Sequence, residues 1–263
     1  MVHDSVSGAP EGRRARNRLA RHRAFLEAAL RIATEEGLPA LTMQRLAAEA
    51  DAAVGAVYTY FPSKGALVAE VQREAVERLT ASYLQLRPRV EDQVADAAPE
   101  PAALAHLVGF ARYMIDSVEV LPQEQRLLQQ LVADADELVP TEEGARVLPA
   151  VLRLLALARQ RFAVAVEVGA LVPGDPMERT VVLAAALNGV LQLDKLARWD
   201  PDLLDARRLA RSLVDDLLAG WGADPAHLAA AHAAIDRLAR RRPLVERVDA
   251  APSSLDPTEG ALT

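Results

Sequence analysis

The chain contains no cysteine. Disulfides, thiolate metal sites and cysteine nucleophiles are thereby excluded together. Aromatic residues make up only 4% of the sequence, so a buried core has to be built from Leu, Val and Ala. No apolar run approaches the ~18 uninterrupted residues of a membrane-spanning helix, and the N-terminus lacks the basic-then-apolar order of a secretory signal. No membrane partner and a cytoplasmic location are therefore expected. No stretch longer than four or five residues alternates with period two, which leaves no convincing strand. The five histidines, His3, His22, His106, His227 and His232, show no pairing at metal-ligand spacing, so no metal and no cofactor is expected. There is no Gly-rich phosphate loop and no Gly-x-Ser-x-Gly elbow. Asp215-Asp216 and Glu142-Glu143 read as solvated helix faces. Nothing in the chain supports an enzyme.

The 263 residues are 51% apolar and 25% charged, ordinary for a globular protein. The net charge of −7 by itself argues against a nucleic-acid partner. Its distribution argues the other way. Residues 1–64 hold nine Lys/Arg against seven Asp/Glu, and the remainder holds 21 against 30. Six arginines, Arg13, Arg14, Arg16, Arg18, Arg21 and Arg23, crowd into eleven positions. A basic end on an acidic body suits a polyanionic partner.

Helical periodicity runs almost throughout, punctuated by Pro and Gly, and gives roughly ten helices. Four domains follow from this pattern. Residues 1–17 form a flexible basic arm, 18–80 a helical N-terminal domain, 81–242 a larger helical domain, and 243–263 a disordered tail. Within the second domain a first helix spans about Leu19–Glu36, with Leu26, Ala29, Leu30 and Ala33 on one stripe and Gly37 placed to end it in a left-handed conformation. Thr42 caps a short helix, Met43 to Ala50, with Leu41 packing on Leu46 as a staple. The turn Asp51-Ala52-Ala53-Val54 leads to a third helix, Gly55 to Tyr60, and Pro62 forces the exit. Ser63 caps a long fourth helix through Leu67, Val71 and Val76, which ends near Pro88.

Short helix, tight turn, short helix is the layout of a helix-turn-helix, whose second helix approaches base edges in the major groove. The first turn of the third helix is nearly bare of side chains, so its backbone can come close to DNA and its free N–H groups can meet phosphate. Tyr58, Thr59 and Tyr60 carry hydroxyls that can donate to phosphate oxygens. Lys64 sits in the first turn of a helix, an unfavourable place for a cation unless a phosphate is its partner. The DNA-binding candidates are Thr42, Gln44, Arg45, Ala53, Val54, Gly55, Ala56, Val57, Tyr58, Thr59, Tyr60 and Lys64.

The positions Glu36-Gly37, Leu41-Thr42, Leu46-Ala47, Glu49-Ala50, Gly55, Val57-Tyr58, Tyr60-Phe61, Ser63-Lys64 and Leu67 together resemble the N-terminal domain of the tetracycline-repressor (TetR) family. The resemblance covers about residues 20–75. It implies an all-α homodimer: a three-helix helix-turn-helix domain that binds operator DNA, joined by a long fourth helix to a helical ligand-binding and dimerisation domain. A small molecule would release the DNA. Two features depart from the family pattern. Asp51-Ala52-Ala53 stands where Gly-Val-Ser is usual, and Ala53 cannot cap the third helix. Gly65 stands where the family usually has Glu after Ser-Lys.

In the larger domain two apolar stripes are wider than one core contact needs. One runs from Met177 to Trp199 and the other from Asp202 to Trp221. By resemblance they supply the dimer interface, with Ala185, Leu187, Gly189, Val190, Leu213, Leu217 and Trp221 as its candidates. Further upstream, Leu107, Phe110, Tyr113, Met114, Gln129, Leu154 and Phe162 are the candidates for contact with a small, largely apolar effector. The expected function is a repressor released from its operator by that ligand. The alternative is a DNA-binding architectural protein without one.

Overall fold

The computed structural model describes residues 9–133 and 141–248. Among these there are ten α-helices and no strand: α1 (Ala9–Glu35), α2 (Met43–Glu49), α3 (Val54–Tyr60), α4 (Lys64–Gln93), α5 (Pro99–Val120), α6 (Pro122–Ala133), α7 (Thr141–Glu167), α8 (Pro176–Leu191), α9 (Ala206–Gly220) and α10 (Pro225–Arg241). No helix among the described residues is long and apolar enough to cross a membrane. Two compact units emerge. One takes the chain up to Ala75 together with Arg126–Pro149, and the other takes Val76–Gln125 and the chain from Ala150 onward.

In the first unit the expected stripe Leu26, Ala29, Leu30 and Ala33 is buried, joined by Phe25 and Ile32. Gly37, at φ 90°, turns the chain after α1 as its backbone freedom allows. Leu41 and Leu46 are both fully buried, consistent with the staple. Thr42 accepts the Arg45 N–H at 3.0 Å and so caps α2. Asp51 takes the left-handed conformation (φ 46°). The Ala52 N–H then reaches back to the Ala47 carbonyl at 2.9 Å, closing the end of α2. Ala53 leads into α3 without a side-chain cap. Ser63 caps α4 by accepting the Ala66 N–H at 2.9 Å.

In the second unit α5 is buried over most of its circumference and packs along α10, while α8 packs along α9. Gly109 makes the close approach possible: a Cβ there would lie 3.2 Å from Ile235 Cδ1 and 3.4 Å from Val90 Cγ2. Tyr83 stacks edge-on against Phe110 at 5.0 Å between centroids.

Several boundaries differ from the sequence expectation. Helix α1 begins at Ala9, so the second half of the expected loose arm is helical, and residues 1–8 lie outside the described ones. Helix α4 runs through Pro88 to Gln93. Packing of Leu86, Val90 and Val94 keeps it on course despite the lost N–H. Helix α8 stops at Leu191, and α9 starts only at Ala206, where Asp205 caps it by accepting the Arg208 N–H at 2.9 Å. The beginning of the expected tail is anchored. Leu244 and Val245 are buried, and the Ser82 hydroxyl donates to the Glu246 carbonyl at 2.7 Å. Residues 249–263 lie outside the described ones.

Candidate nucleic-acid interface

Helices α2 and α3 pack against each other around Leu46, Ala47 and Val57. This contact decides which of the candidates can reach a partner. Gln44, Ala53, Gly55, Tyr58, Thr59 and Lys64 are exposed, and Thr42, Arg45, Val54, Ala56 and Tyr60 are half-buried. Val57 is fully buried and is a core residue, not a DNA contact. Periodicity could have excluded it, since it follows Val54 by three positions, on the side of α3 that faces α2. The exposed residues bracket the N-terminal half of α3 and the turn into α4.

Gly55 opens directly outward, with no heavy atom within 4 Å of where a Cβ would stand. Tyr58 is 48% exposed. The Thr59 hydroxyl donates to the Gly55 carbonyl of its own helix at 3.1 Å, so its proton is committed there rather than offered to phosphate as expected. Tyr60 lies with its ring 5.3 Å from Phe25 and 6.1 Å from His22, which fixes the ring from one side. Lys64 donates to the Pro39 carbonyl at 3.3 Å. That bond satisfies one of its three donors and holds the ammonium near the start of α4.

Arg45 differs from the expectation. Its guanidinium is bonded to Glu36 at 2.6 Å and to Glu49 at 2.9 Å. Hydrogen bonds to Glu36 and then Glu49 raise its pKa further above an already basic value. The Arg45 bond, with a second from Arg31, holds the Glu49 carboxyl below its ordinary range. Arg45 is thus a neutralised member of a surface network rather than an unpaired cation. Positive charge lies on α1 as well, where Arg13, Arg14, Arg16, Arg18 and Arg21 are all exposed.

The two expectations for the larger domain fare differently. Of the effector candidates, Leu107, Phe110, Tyr113, Leu154 and Phe162 are buried and Met114 is half-buried, all within the second unit. Gln129 is half-buried and belongs to the first unit. The Tyr113 hydroxyl is already committed to the Leu79 carbonyl at 2.7 Å. Burial raises its pKa well above the ordinary value. Of the interface candidates, Ala185 and Gly189 are exposed, while Val190, Leu213 and Leu217 are half-buried. Leu187 is buried within its own protomer. Trp221 packs edge-on against Phe162 at 5.4 Å with the Arg179 guanidinium over its ring. Trp221 is half-buried, so part of its ring remains accessible. Missed from the sequence were Val181 and Val182 on α8 and Leu196, Trp199 and Leu203 after it, all exposed. The helical spacing 182, 185, 189 was the signal that could have found the α8 face.

The expectation of a solvated face at Glu143 is also corrected, while Asp215 keeps a partly exposed side chain. Glu143 is half-buried and accepts the Ser63 hydroxyl at 2.6 Å, and Asp215 pairs with His232 at 2.6 Å.

Residues 25–71 match the model of the family described as bacterial regulatory proteins, tetR family. The span encloses the Glu36-to-Leu67 pattern and bears out the resemblance read from it. No curated protein matches the chain. Among solved structures, it is similar to a TetR transcription regulator from Haloarcula marismortui ATCC 43049. There the identity is 17% and the TM-score 0.58, over 76% of this chain and 97% of that one. It is similar to SmeT, the repressor of the Stenotrophomonas maltophilia multidrug efflux pump SmeDEF, at 22% identity and TM-score 0.52, over 78% and 91%. It is also similar to FadR from Bacillus subtilis, solved in complex with stearoyl-CoA, at 15% identity and TM-score 0.52, over 75% and 97%. At these identities the likeness is one of fold.

Proposed function

We propose that this DNA-binding transcriptional regulator, carrying a tetR-family N-terminal domain and the fold that goes with it, is a cytoplasmic homodimeric repressor released from its operator by a small, largely apolar ligand. The observation that carries the reading is the outward face of the helix-turn-helix. Gly55 leaves the start of α3 open, Tyr58 stands exposed beside it, and Lys64 adds a cation at the next turn. Backbone N–H groups and hydroxyls there suit phosphate oxygens. The exposed arginines of α1 add sequence-independent attraction. In this reading the effector would enter among buried apolar side chains such as Leu107, Phe110 and Leu154.

Selection of random duplexes on the protein, followed by fluorescence anisotropy, tests the DNA part. A near-palindromic site is expected, because a two-fold protein reads two half-sites. Lys64→Ala is expected to weaken binding about equally over sequences and to flatten the slope of log K against log salt by about one unit. Failure to enrich any sequence would remove the regulator reading. A thermal-shift screen of apolar small molecules, followed by release of the selected duplex, tests the ligand part. A hit that stabilises the protein without releasing DNA would favour a DNA binder without effector control.

A further inference from the structure

Helix α4 starts with an electrostatic deficit. Its first turn contains no acidic residue and does contain Lys64. Four backbone N–H groups open toward that end with the positive pole of the helix dipole. The compensation comes from 80 residues away. The Ser63 hydroxyl, which accepts the Ala66 N–H at 2.9 Å, donates in turn to Glu143 Oε1 at 2.6 Å. The other carboxylate oxygen of Glu143 lies over Gly65, where a Cβ would stand only 2.8 Å from Oε2 and 3.0 Å from Cδ. Any side chain at position 65 would therefore displace this carboxylate. Glu143 sits in the first turn of α7, and both its own segment and the start of α4 belong to the first compact unit.

We propose that Glu143 is a positioning residue for DNA binding: it is the carboxylate cap of α4, admitted by Gly65, and it fixes the α3–α4 turn that carries Tyr60 and Lys64. The inference rests on the DNA-binding reading above and assigns that interface a residue from outside the helix-turn-helix. Two effects of Glu143 oppose each other. As a negative charge beside the DNA-gripping residues it repels phosphate, so simple electrostatics has its removal strengthen binding, most of all at low salt. As a cap it holds Ser63 and the first turn of α4 in place, so its removal lets Lys64 and Tyr60 drift from phosphate reach. A charge-assisted hydrogen bond at a helix N-terminus outweighs one screened repulsion across solvent. Positioning therefore wins, and the sign of the effect is diagnostic.

The test uses four full-length proteins: wild type, Glu143→Ala, Gly65→Glu, and the double variant Gly65→Glu/Glu143→Ala. In the double variant a carboxylate in the first turn of α4 occupies the space that Glu143 vacates. Operator affinity is read by anisotropy with the duplex selected on wild type, and amide hydrogen exchange at Ala66 and Leu67 is read without DNA. Glu143→Ala is expected to bind about five- to ten-fold more weakly despite losing a negative charge, and to exchange faster at both amides. Gly65→Glu is expected to be impaired as well, because two carboxylates compete for one place. The double variant is expected to recover both readouts, which a merely destabilised fold would not do. Tighter binding by Glu143→Ala, or a double variant as weak as the two single changes combined, would overturn the proposal. The double variant also decides the matter if Glu143→Ala folds poorly. If wild type selects no duplex, the regulator reading fails, and unchanged or restored exchange still decides whether Glu143 caps α4.

Discussion

A glycine in the interior of a helix costs about 0.5–1 kcal/mol relative to alanine. Gly55, the second residue of α3, carries part of that cost although no heavy atom among the described residues lies within 4 Å of where its Cβ would stand. The described residues give no steric reason for the glycine, and under the DNA-binding proposal a close approach of phosphate to the α3 backbone would account for it. Gly55→Ala is accordingly expected to raise the melting temperature by ~1–3 °C while weakening operator binding about ten-fold or more. Calorimetry and anisotropy on the same sample check both halves. Alanine bound as tightly as glycine would show that DNA does not approach here. His106 offers a second residue-scale expectation. Burial, and then the charge of Arg161, push its imidazole down to about 4 from the ordinary 6.5. The folded state thus resists a proton that the unfolded chain takes up below pH 6.5. Unfolded chains bind more protons between about pH 6.5 and 4, so stability is full above that window and falls as the pH drops through it. Partial exposure limits the loss to about 1–2 kcal/mol. Urea titrations at pH 7 and 4.5 should show it, and His106→Gln should flatten the dependence across that range.

Elements differ in how far their causes reach along the chain, and this set what was legible. Thr42, Asp51 and Ser63 act on amides within a few residues of themselves, so the caps and the turn of the helix-turn-helix could be read directly. Proline at position 88 read as a stop, because its local effect is disruptive. The helix continues since Leu86, Val90 and Val94 are all buried in the same packed row. Which stripe of α8 faces inward depended on Leu183, Leu187 and Leu191 meeting other parts of the fold, and no local rule separates them from Ala185 and Gly189. Glu143 looked like a solvated face because its partner lies 80 positions upstream. The segment after α10 read as a tail for the same reason. Its polar, proline-containing sequence hides two apolar anchors, Leu244 and Val245, while Arg89 binds the Pro243 carbonyl at 2.8 Å and the Arg242 carbonyl at 2.9 Å. Leu244→Ala should therefore cost about 2–3 kcal/mol in urea unfolding, the range for a buried leucine with partial collapse of the site. A loss under half that value would show that the segment is not part of the core.

At the scale of the whole molecule, five of the large apolar side chains that stand exposed among the described residues fall in one stretch, and the others are scattered from Leu19 to Val172. Val181, Val182, Leu196, Trp199 and Leu203 lie between positions 181 and 203, with Trp199 75% and Leu203 64% exposed. Ala185 and Gly189, also exposed, continue the α8 face. A small-residue face flanked by valines lets a second backbone approach closely, and an obligate interface needs upward of ~2,000 Å² of such surface. In the proposed dimer two copies of α8 meet about the two-fold axis, so any change at Gly189 acts twice. The isolated protomer has open space there, since no atom lies within 4 Å of a Cβ at position 189. Gly189→Leu is therefore expected to leave the protomer's packing intact, and in a helix leucine is favoured over glycine by about 0.8 kcal/mol. Against a partner helix the same side chain has no room, and overpacking costs about 1–3 kcal/mol per site. The expected result is a variant with unchanged or higher helicity and melting temperature at low concentration, largely monomeric by sedimentation. Its operator affinity should fall steeply, because one half-site bound at a time forfeits the effective concentration that links the two heads. A Gly189→Leu protein that stays dimeric and binds its operator normally would move the interface off this face of α8, and Trp199 and Leu203 would then be the next surface to test.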